Sequence, residues 1–483
     1  MEVDSAVVAL CEVEGYLHVF HAVLARVLVV GDAADDVDPH LHGLPEQVLV
    51  VVVRVDAVLG ERDDLQVDQV VDFVAEVEQC FDGRERLLCG VGVRSNARDA
   101  VGSAILGIYV ATLCAIGAQT GLTTVLLSRY TFGRLGAKWA DLLLGGTQVG
   151  WFGVTIPLVA IPTAKFFGVN TPTWVSALIL LWGLFHLATA YFGYEGMEKL
   201  SLVAVPVLVV VGVLSIGIAL QDAGGLGGLM ETTGSAGSMT FGAAVTIVVG
   251  TFISGGTQAP NWARFASSRR TGFWAGLIAF LIGNSFLFVS GAVGGAVYAD
   301  TGGDLYEVLA VQGLAAVGLI ALILNIWTTN DNAAYAFGVA GSEAFDYDRK
   351  RPFVLAGGAI GIALALFGVA NLLIPWLSTL GQYVPPLGGV LIADLLLCWR
   401  LNIPRMESVD FASVRVVPVV AYVLGCVVAA LTAGAVIPGV GAPQLIPGIA
   451  ALNGIIAAMV VQVVGHYGLE RPGIVGTHDS ETF

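Results

Sequence analysis

The chain has 483 residues, of which 56% are apolar and only 12% charged, with 62 Gly and a mean hydropathy of +0.82. Such a composition belongs to a polytopic membrane protein. Of the net charge of −16, −13 lies in residues 1–100, so the low pI describes that segment and gives no support for a nucleic-acid partner. Cys11, Cys80, Cys89, Cys114, Cys398 and Cys426 show neither CxxC spacing nor a pairing pattern, which argues against a disulfide framework and a zinc site. No signal-peptide pattern opens the chain, so insertion relies on the spans themselves.

Residues 1–100 differ from the rest. They contain no Ile, Lys, Thr or Trp, whereas Val takes 24 positions and Asp 12. The segment reads as the product of a wrong frame or start in a GC-rich gene, or as disordered chain. A soluble, acidic, Val-rich domain with strands such as 47–58 is the alternative. His18, His21, His40 and His42 suggest a metal site only superficially, since chance explains them on that background.

From Val101 onward the chain is a transmembrane domain expected over 101–470, followed by a tail over 471–483. Apolar runs of spanning length, about 20 residues each, recur at 101–119, 140–164, 173–193, 197–220, 241–263, 272–298, 305–338, 353–370, 371–397, 416–434 and 448–467. These eleven spans put fourteen of the fifteen Lys and Arg beyond residue 100 on one side if the C-terminus is cytoplasmic, with Lys165 as the exception. An odd count places the N-terminal segment outside, and nothing before Val101 is long and uncharged enough to supply a further span.

Three polar strings carry the functional signal. In GGTQVGWFG (145–153), Gln148 and Trp151 share a helix face, where the amide pairs with a ring edge and the indole stacks on a ring face, or where both serve helix packing. In VVGTFISGGTQAPNWARF (248–265), the crowding of Gly250, Gly255, Gly256 and Pro260 predicts a broken helix, which in transporters exposes backbone groups to substrate and ion. Phe252 is placed to stack on a planar ligand, with Thr251 and Ser254 beside it. In NIWTTNDNAAYAFG (325–338), the polar residues must find partners at membrane depth. Asn325, Thr329 and Asn332 share a face and Thr328 adjoins it. The paired Thr hydroxyls suit a hard cation such as Na⁺, whereas Asn325 is expected to face substrate. Asp331 is a proton carrier, a counter-charge or a packing anchor, and Asp331 with Asn332 is the candidate gate or coupling element. His186, alone in an apolar span, is expected to be a satisfied interhelical histidine. The string 382–389 (QYVPPLGG) breaks its span as a gate or a kink.

From about Leu106 to Leu452 these strings resemble the nucleobase:cation symporter-1 family. The resemblance rests on LGGTQVGWFGV (144–154), MEKLSLVAVPVL (197–208), GTFISGGT (250–257), LNIWTTNDNAAYA (324–336) and PPLGGVLIAD (385–394). It implies an all-α, five-plus-five inverted-repeat (LeuT-like) transporter fold of twelve helices, of which the first is missing here. It also implies a secondary transporter, not an enzyme, that imports cytosine or a related nucleobase with a cation, Na⁺ favoured over H⁺. By that resemblance Trp151 and Phe252 sandwich the base, Gln148 and Asn325 read its polar edge, Thr251 and Ser254 line the site, and Thr328 and Thr329 ligate Na⁺. No cofactor or resident metal is expected, and the partners are the nucleobase and the lipid bilayer, with no nucleic acid. An allantoin, hydantoin or purine carrier is the alternative within the family, and a truncated non-transporting membrane protein or sensor is the alternative outside it.

Overall fold

The computed structural model describes residues 91–192, 194–231, 240–437, 440–469 and 476–477. Residues 1–90, with the four early histidines and the strand expected over 47–58, lie outside the described residues, as does most of the expected tail. The first described helix, α1 (Val91–Thr120), starts ahead of the boundary expected at residue 101.

After α1 come α2 (Thr124–Phe166), α3 (Pro172–Phe192), α4 (Tyr194–Asp222) and a short α5 (Leu226–Glu231). An interrupted rod follows, made of α6 (Phe241–Gly250), α7 (Ile253–Thr257) and α8 (Pro260–Ala263). Then α9 (Arg269–Ile278) and α10 (Ser285–Val297) flank a π-helical turn at Ala279–Asn284. The second half holds α11 (Leu305–Val311), α12 (Ala315–Ala344), α13 (Arg351–Leu366), α14 (Leu373–Tyr383), α15 (Pro385–Ile392), α16 (Val416–Ala433) and α17 (Ala450–Gly468). Two antiparallel strand pairs join Val409–Asp410 to Gly476–Thr477 and Ala435–Ile437 to Val440–Gly441.

Every expected span is helical and the break expected within 241–263 is present, but the count of eleven needs correction. Among the described residues eight helical segments are long and apolar enough to cross a bilayer. The stretch 241–263 is broken into three pieces, and 353–370 yields a helix of only 16 residues. The span expected to begin near Leu305 is two helices. Gly313 adopts φ +78° after α11, and the Leu314 N–H returns to the Leu309 carbonyl, the left-handed glycine termination that stops a helix.

Burial divides the helices into an inner and an outer set. Two thirds of the most apolar stretch of α1 and of α2 is buried, and 83% of that within Val369–Cys398, against 22% in α3 and 28% in α4. Leu180, Leu181, Leu184, Leu202, Val203 and Val210 are exposed apolar side chains on those outer helices, as expected of surfaces meeting lipid tails rather than water. One buried cluster joins α1, α2, the interrupted rod, α14 to α17 and Leu401 and Ile403; a second joins α2, α3, α12 and α13. Helix α2 belongs to both, with Leu144 in the first and Phe152 and Ile156 in the second. Gln148 and Trp151 therefore sit where the two clusters meet.

The basic loops gather at one end. Arg129 pairs with Glu343, Lys138 with Asp346, and the Arg134 and Arg415 backbone N–H groups bond to Ala412 and Phe132 carbonyls. Lys165, the expected exception, pairs with Glu307 at the start of α11.

Candidate substrate and cation site

The predicted helix break is present and sharply local. Thr251 closes α6, its hydroxyl donating to the Val248 carbonyl at 2.7 Å, and Phe252 leaves helical geometry at φ −138°, ψ 3°. The backbone at this level is held by close approach. A Cβ on Gly250 would overlap the Leu377 carbonyl, and one on Gly381 the Thr246 carbonyl, so α6 and α14 touch main chain to main chain. Pro260 then opens α8 at a first-turn position, where its missing N–H costs nothing.

Just past the break, Ser254 is fully buried and its hydroxyl accepts from the Trp151 indole N–H at 3.0 Å and from Gln148 Nε2 at 3.3 Å. The break and the GGTQVGW string are thereby one site. The Phe252 ring lies 4.8 Å from that of Phe280, tilted by 44°. Trp376 of α14 covers Gly150, where a Cβ would run into its ring, and its buried indole nitrogen has no hydrogen-bond partner among the described residues. Aromatic faces beside amide, hydroxyl and indole groups are what a flat, polar-edged heterocycle requires.

The Asn325 face shares no hydrogen bond with that set among the described residues. Thr328 donates to the Asn325 carbonyl at 2.9 Å and Thr329 to the same carbonyl at 2.8 Å, within a continuous α12. Each hydroxyl proton is taken by the helix itself, which leaves oxygen lone pairs for an outside cation. Asn325, Thr328, Thr329 and Asn332 are half-buried. Among the described residues no hydrogen bond ties these four to Gln148, Trp151 or Ser254. The structure thus unites Gln148, Trp151 and Ser254, puts Thr251 and Phe252 at the adjoining break, and leaves the α12 set on its own face.

The other face of α12 is hydrogen-bonded to α2 and α3. Asp331 accepts from Thr189 of α3 at 2.7 Å, and the Trp327 indole donates to the same Thr189 hydroxyl at 3.1 Å. Fully buried Asn330 contacts Thr155 of α2 at 2.5 Å and His186 Nδ1 of α3 at 2.9 Å. The expected satisfied histidine is half realised, because His186 Nε2 is buried without a partner.

The sequence pattern of the permeases for cytosine/purines, uracil, thiamine and allantoin matches residues 100–456. The chain belongs to this family, the nucleobase:cation symporter-1 family. It is 39% identical over 325 residues to the cytosine permease of Escherichia coli (strain K12), covering 67% of this chain and 75% of that one. A hydantoin permease of Microbacterium maritypicum is 24% identical over 59% of this chain and 62% of its own length. The solved structure of Mhp1, a family member in a closed conformation with bromovinylhydantoin bound, superposes with a TM-score of 0.62 at 20% identity, over 77% of this chain and 85% of that one. The protein thus has the LeuT-like transporter fold, and it is a multi-pass membrane transporter rather than an enzyme.

In this transporter two residues near the site, Gln258 and Trp376, carry no obvious sequence signal. The tetrapeptide GGTQ occurs at 145–148 and again at 255–258, and the second glutamine, Gln258, is buried with its amide donating to the Ser254 carbonyl at 3.3 Å. Repetition was the one available clue. Trp376 sits in apolar surroundings that give no hint of its contacts. Outside the site, Asp394, Cys398 and His466 bring an oxygen, a sulfur and a nitrogen within 4.8 Å of one another. Both Asp394 oxygens already accept from Arg415 at 2.7 and 3.1 Å, and Gln462 adds 2.8 Å. A guanidinium occupies the carboxylate as a metal would, so the trio reads as part of that ion-pair network.

Proposed function

We propose that this symporter carries cytosine, or a nucleobase of the same shape, into the cell together with a cation, Na⁺ in preference to H⁺, by alternating access around a site at the helix break. The observation that supports it most is the shared Ser254 hydroxyl. It gathers Gln148 and Trp151 against the broken helix with Phe252 adjacent, which gives a planar ring two aromatic neighbours and an amide for its edge. Asn325 completes that edge and Thr328 and Thr329 hold the cation, as the free lone pairs of their hydroxyls allow. The C-terminus is cytoplasmic. Strand Gly476–Thr477 pairs with Val409–Asp410 in the basic loops, and Lys and Arg concentrate on the inner side of a bilayer.

Uptake of labelled cytosine into proteoliposomes tests the reading, with an inward Na⁺ gradient compared against an inward proton gradient. Accumulation driven by Na⁺ and suppressed by excess unlabelled cytosine is expected; uptake indifferent to unlabelled cytosine excludes this substrate. A hydantoin or purine carrier is the second reading, favoured by the identity to the hydantoin permease. Competition by uracil, adenine and hydantoins at the same site separates the two.

A further inference from the structure

Helices α2 and α12 each carry one candidate site, and one buried hydrogen bond lies between the turns that bear them. Thr155 is one turn beyond Trp151 on α2. Its hydroxyl donates its one proton as a forked hydrogen bond, to Asn330 Oδ1 on α12 at 2.5 Å and to the Trp151 carbonyl at 2.8 Å. Asn330 is the residue after Thr329. Its amide nitrogen also lies 2.9 Å from His186 Nδ1, so Asn330 is contacted from both α2 and α3. Thr155 is 4% exposed and Asn330 and His186 are 0% exposed, where no water replaces a lost bond.

The links run in series. Ser254 at the helix break holds the Trp151 indole, the Trp151 carbonyl meets Thr155, Thr155 meets Asn330, and Asn330 adjoins the two threonines of the cation face. A base that shifts the Trp151 turn therefore shifts the Thr155 hydroxyl, and through Asn330 the turn bearing Thr328 and Thr329. Among the described residues no other hydrogen bond joins these two turns.

We infer that the Thr155–Asn330 hydrogen bond couples occupation of the nucleobase site to occupation of the cation site, Thr155 and Asn330 acting as positioning residues that touch neither ligand. This rests on the reading under Proposed function. Coupling is a reciprocal property of two binding equilibria, so its signature is a ratio and not a single affinity.

The test is equilibrium binding of labelled cytosine to the purified full chain, in choline and in saturating Na⁺. In the wild type, Na⁺ is expected to tighten cytosine binding by about tenfold or more, within the usual range of coupled sites. Thr155→Val keeps the side-chain shape and removes the hydroxyl. Its Na⁺ effect is expected to fall to about twofold or less, with cytosine affinity in choline near that of the wild type. Thr155→Ser restores the hydroxyl and the Na⁺ effect. Asn330→Ala breaks the link from the other side and gives the same loss. A merely structural role lowers yield or both affinities together and leaves the ratio intact. A wild-type ratio in both Thr155→Val and Asn330→Ala overturns the inference. A wild type whose cytosine binding ignores Na⁺ instead removes the cation from the proposed function, a result visible before any variant is made.

Discussion

Gln148 and Trp151, three residues apart on α2, donate to a single oxygen, the Ser254 hydroxyl. A hydroxyl offers two lone pairs, and here both are filled. Ser254→Ala strands two donors in a buried site, each worth roughly 1–3 kcal/mol when unsatisfied. The expected result is a weakening of cytosine binding by about one order of magnitude or more, with normal insertion in the membrane. Gln148→Ala is expected to abolish cytosine recognition altogether. Radioligand binding checks both, and wild-type affinity in Gln148→Ala removes that residue from the site.

Trp376 gives a separate handle on the same site, since its indole N–H is buried and unpaired among the described residues while its ring covers Gly150. Trp376→Phe keeps most of the ring and removes the stranded donor. Melting of the empty protein is expected to stay level or rise, because an unsatisfied group has gone. Cytosine affinity is expected to fall several-fold, as the base loses a donor. A variant that binds cytosine as the wild type does places the indole outside the site.

The cation face predicts a different phenotype. Thr328→Ala and Thr329→Ala delete oxygens whose protons already serve the Asn325 carbonyl, so helix stability changes little and ligation is what is lost. A higher Na⁺ concentration for half-maximal cytosine uptake is expected in each. Wild-type Na⁺ dependence in both variants counts against the cation assignment.

How much of this was legible beforehand depends on the physics of each element. The break at Thr251–Phe252 could be read because Gly250, Gly255, Gly256 and Pro260 are local determinants of backbone geometry. The union of Gln148 with Ser254 could only be nominated residue by residue, since the two are 106 positions apart and no local rule sets their distance. Apolar length misjudged 305–338, because hydropathy runs on across Gly313, whose positive φ ends a helix without interrupting the apolar pattern. Asn330 and Asp331 looked like Asn325 and Thr329 in composition. Helical phase alone separates them, and it turns the first pair toward α2 and α3.

Tyr109 and Gly388 make a stability prediction. The Tyr109 hydroxyl bonds Thr257 Oγ1 at 2.6 Å in the interrupted rod, and a Cβ on Gly388 would overlap that hydroxyl. Gly388→Ala forces the ring away and strands buried polar atoms on both sides. Tyr109→Phe removes the bond without the clash, costing about 1 kcal/mol. Thermal melting in detergent is expected to rank wild type above Tyr109→Phe and that above Gly388→Ala. The same Cβ would also overlap Tyr109 Cζ and lie 2.8 Å from Cε2, so adding Tyr109→Phe is expected to relieve the Gly388→Ala defect only in part.

Asp394 and Arg415 form the most buried ion pair among the described residues, at 0% and 8% side-chain exposure. Arg415 also donates to the Tyr130 carbonyl at 2.7 Å, and Gln462 of α17 to Asp394, so one charged pair ties together α2, the π-helical turn Ala393–Cys398 that follows α15, the start of α16, and α17. Removing one partner of a buried pair leaves an uncompensated charge, at a cost of about 3–5 kcal/mol, whereas replacing both by apolar groups of similar volume is often neutral. Arg415→Met is therefore expected to lose most folded protein on size-exclusion chromatography. The double variant Asp394→Leu/Arg415→Met is expected to recover much of it, short of the wild type by the bond to Tyr130. If the double variant is no better than the single one, the contribution comes from Arg415's bond to the Tyr130 carbonyl and not from the ion pair.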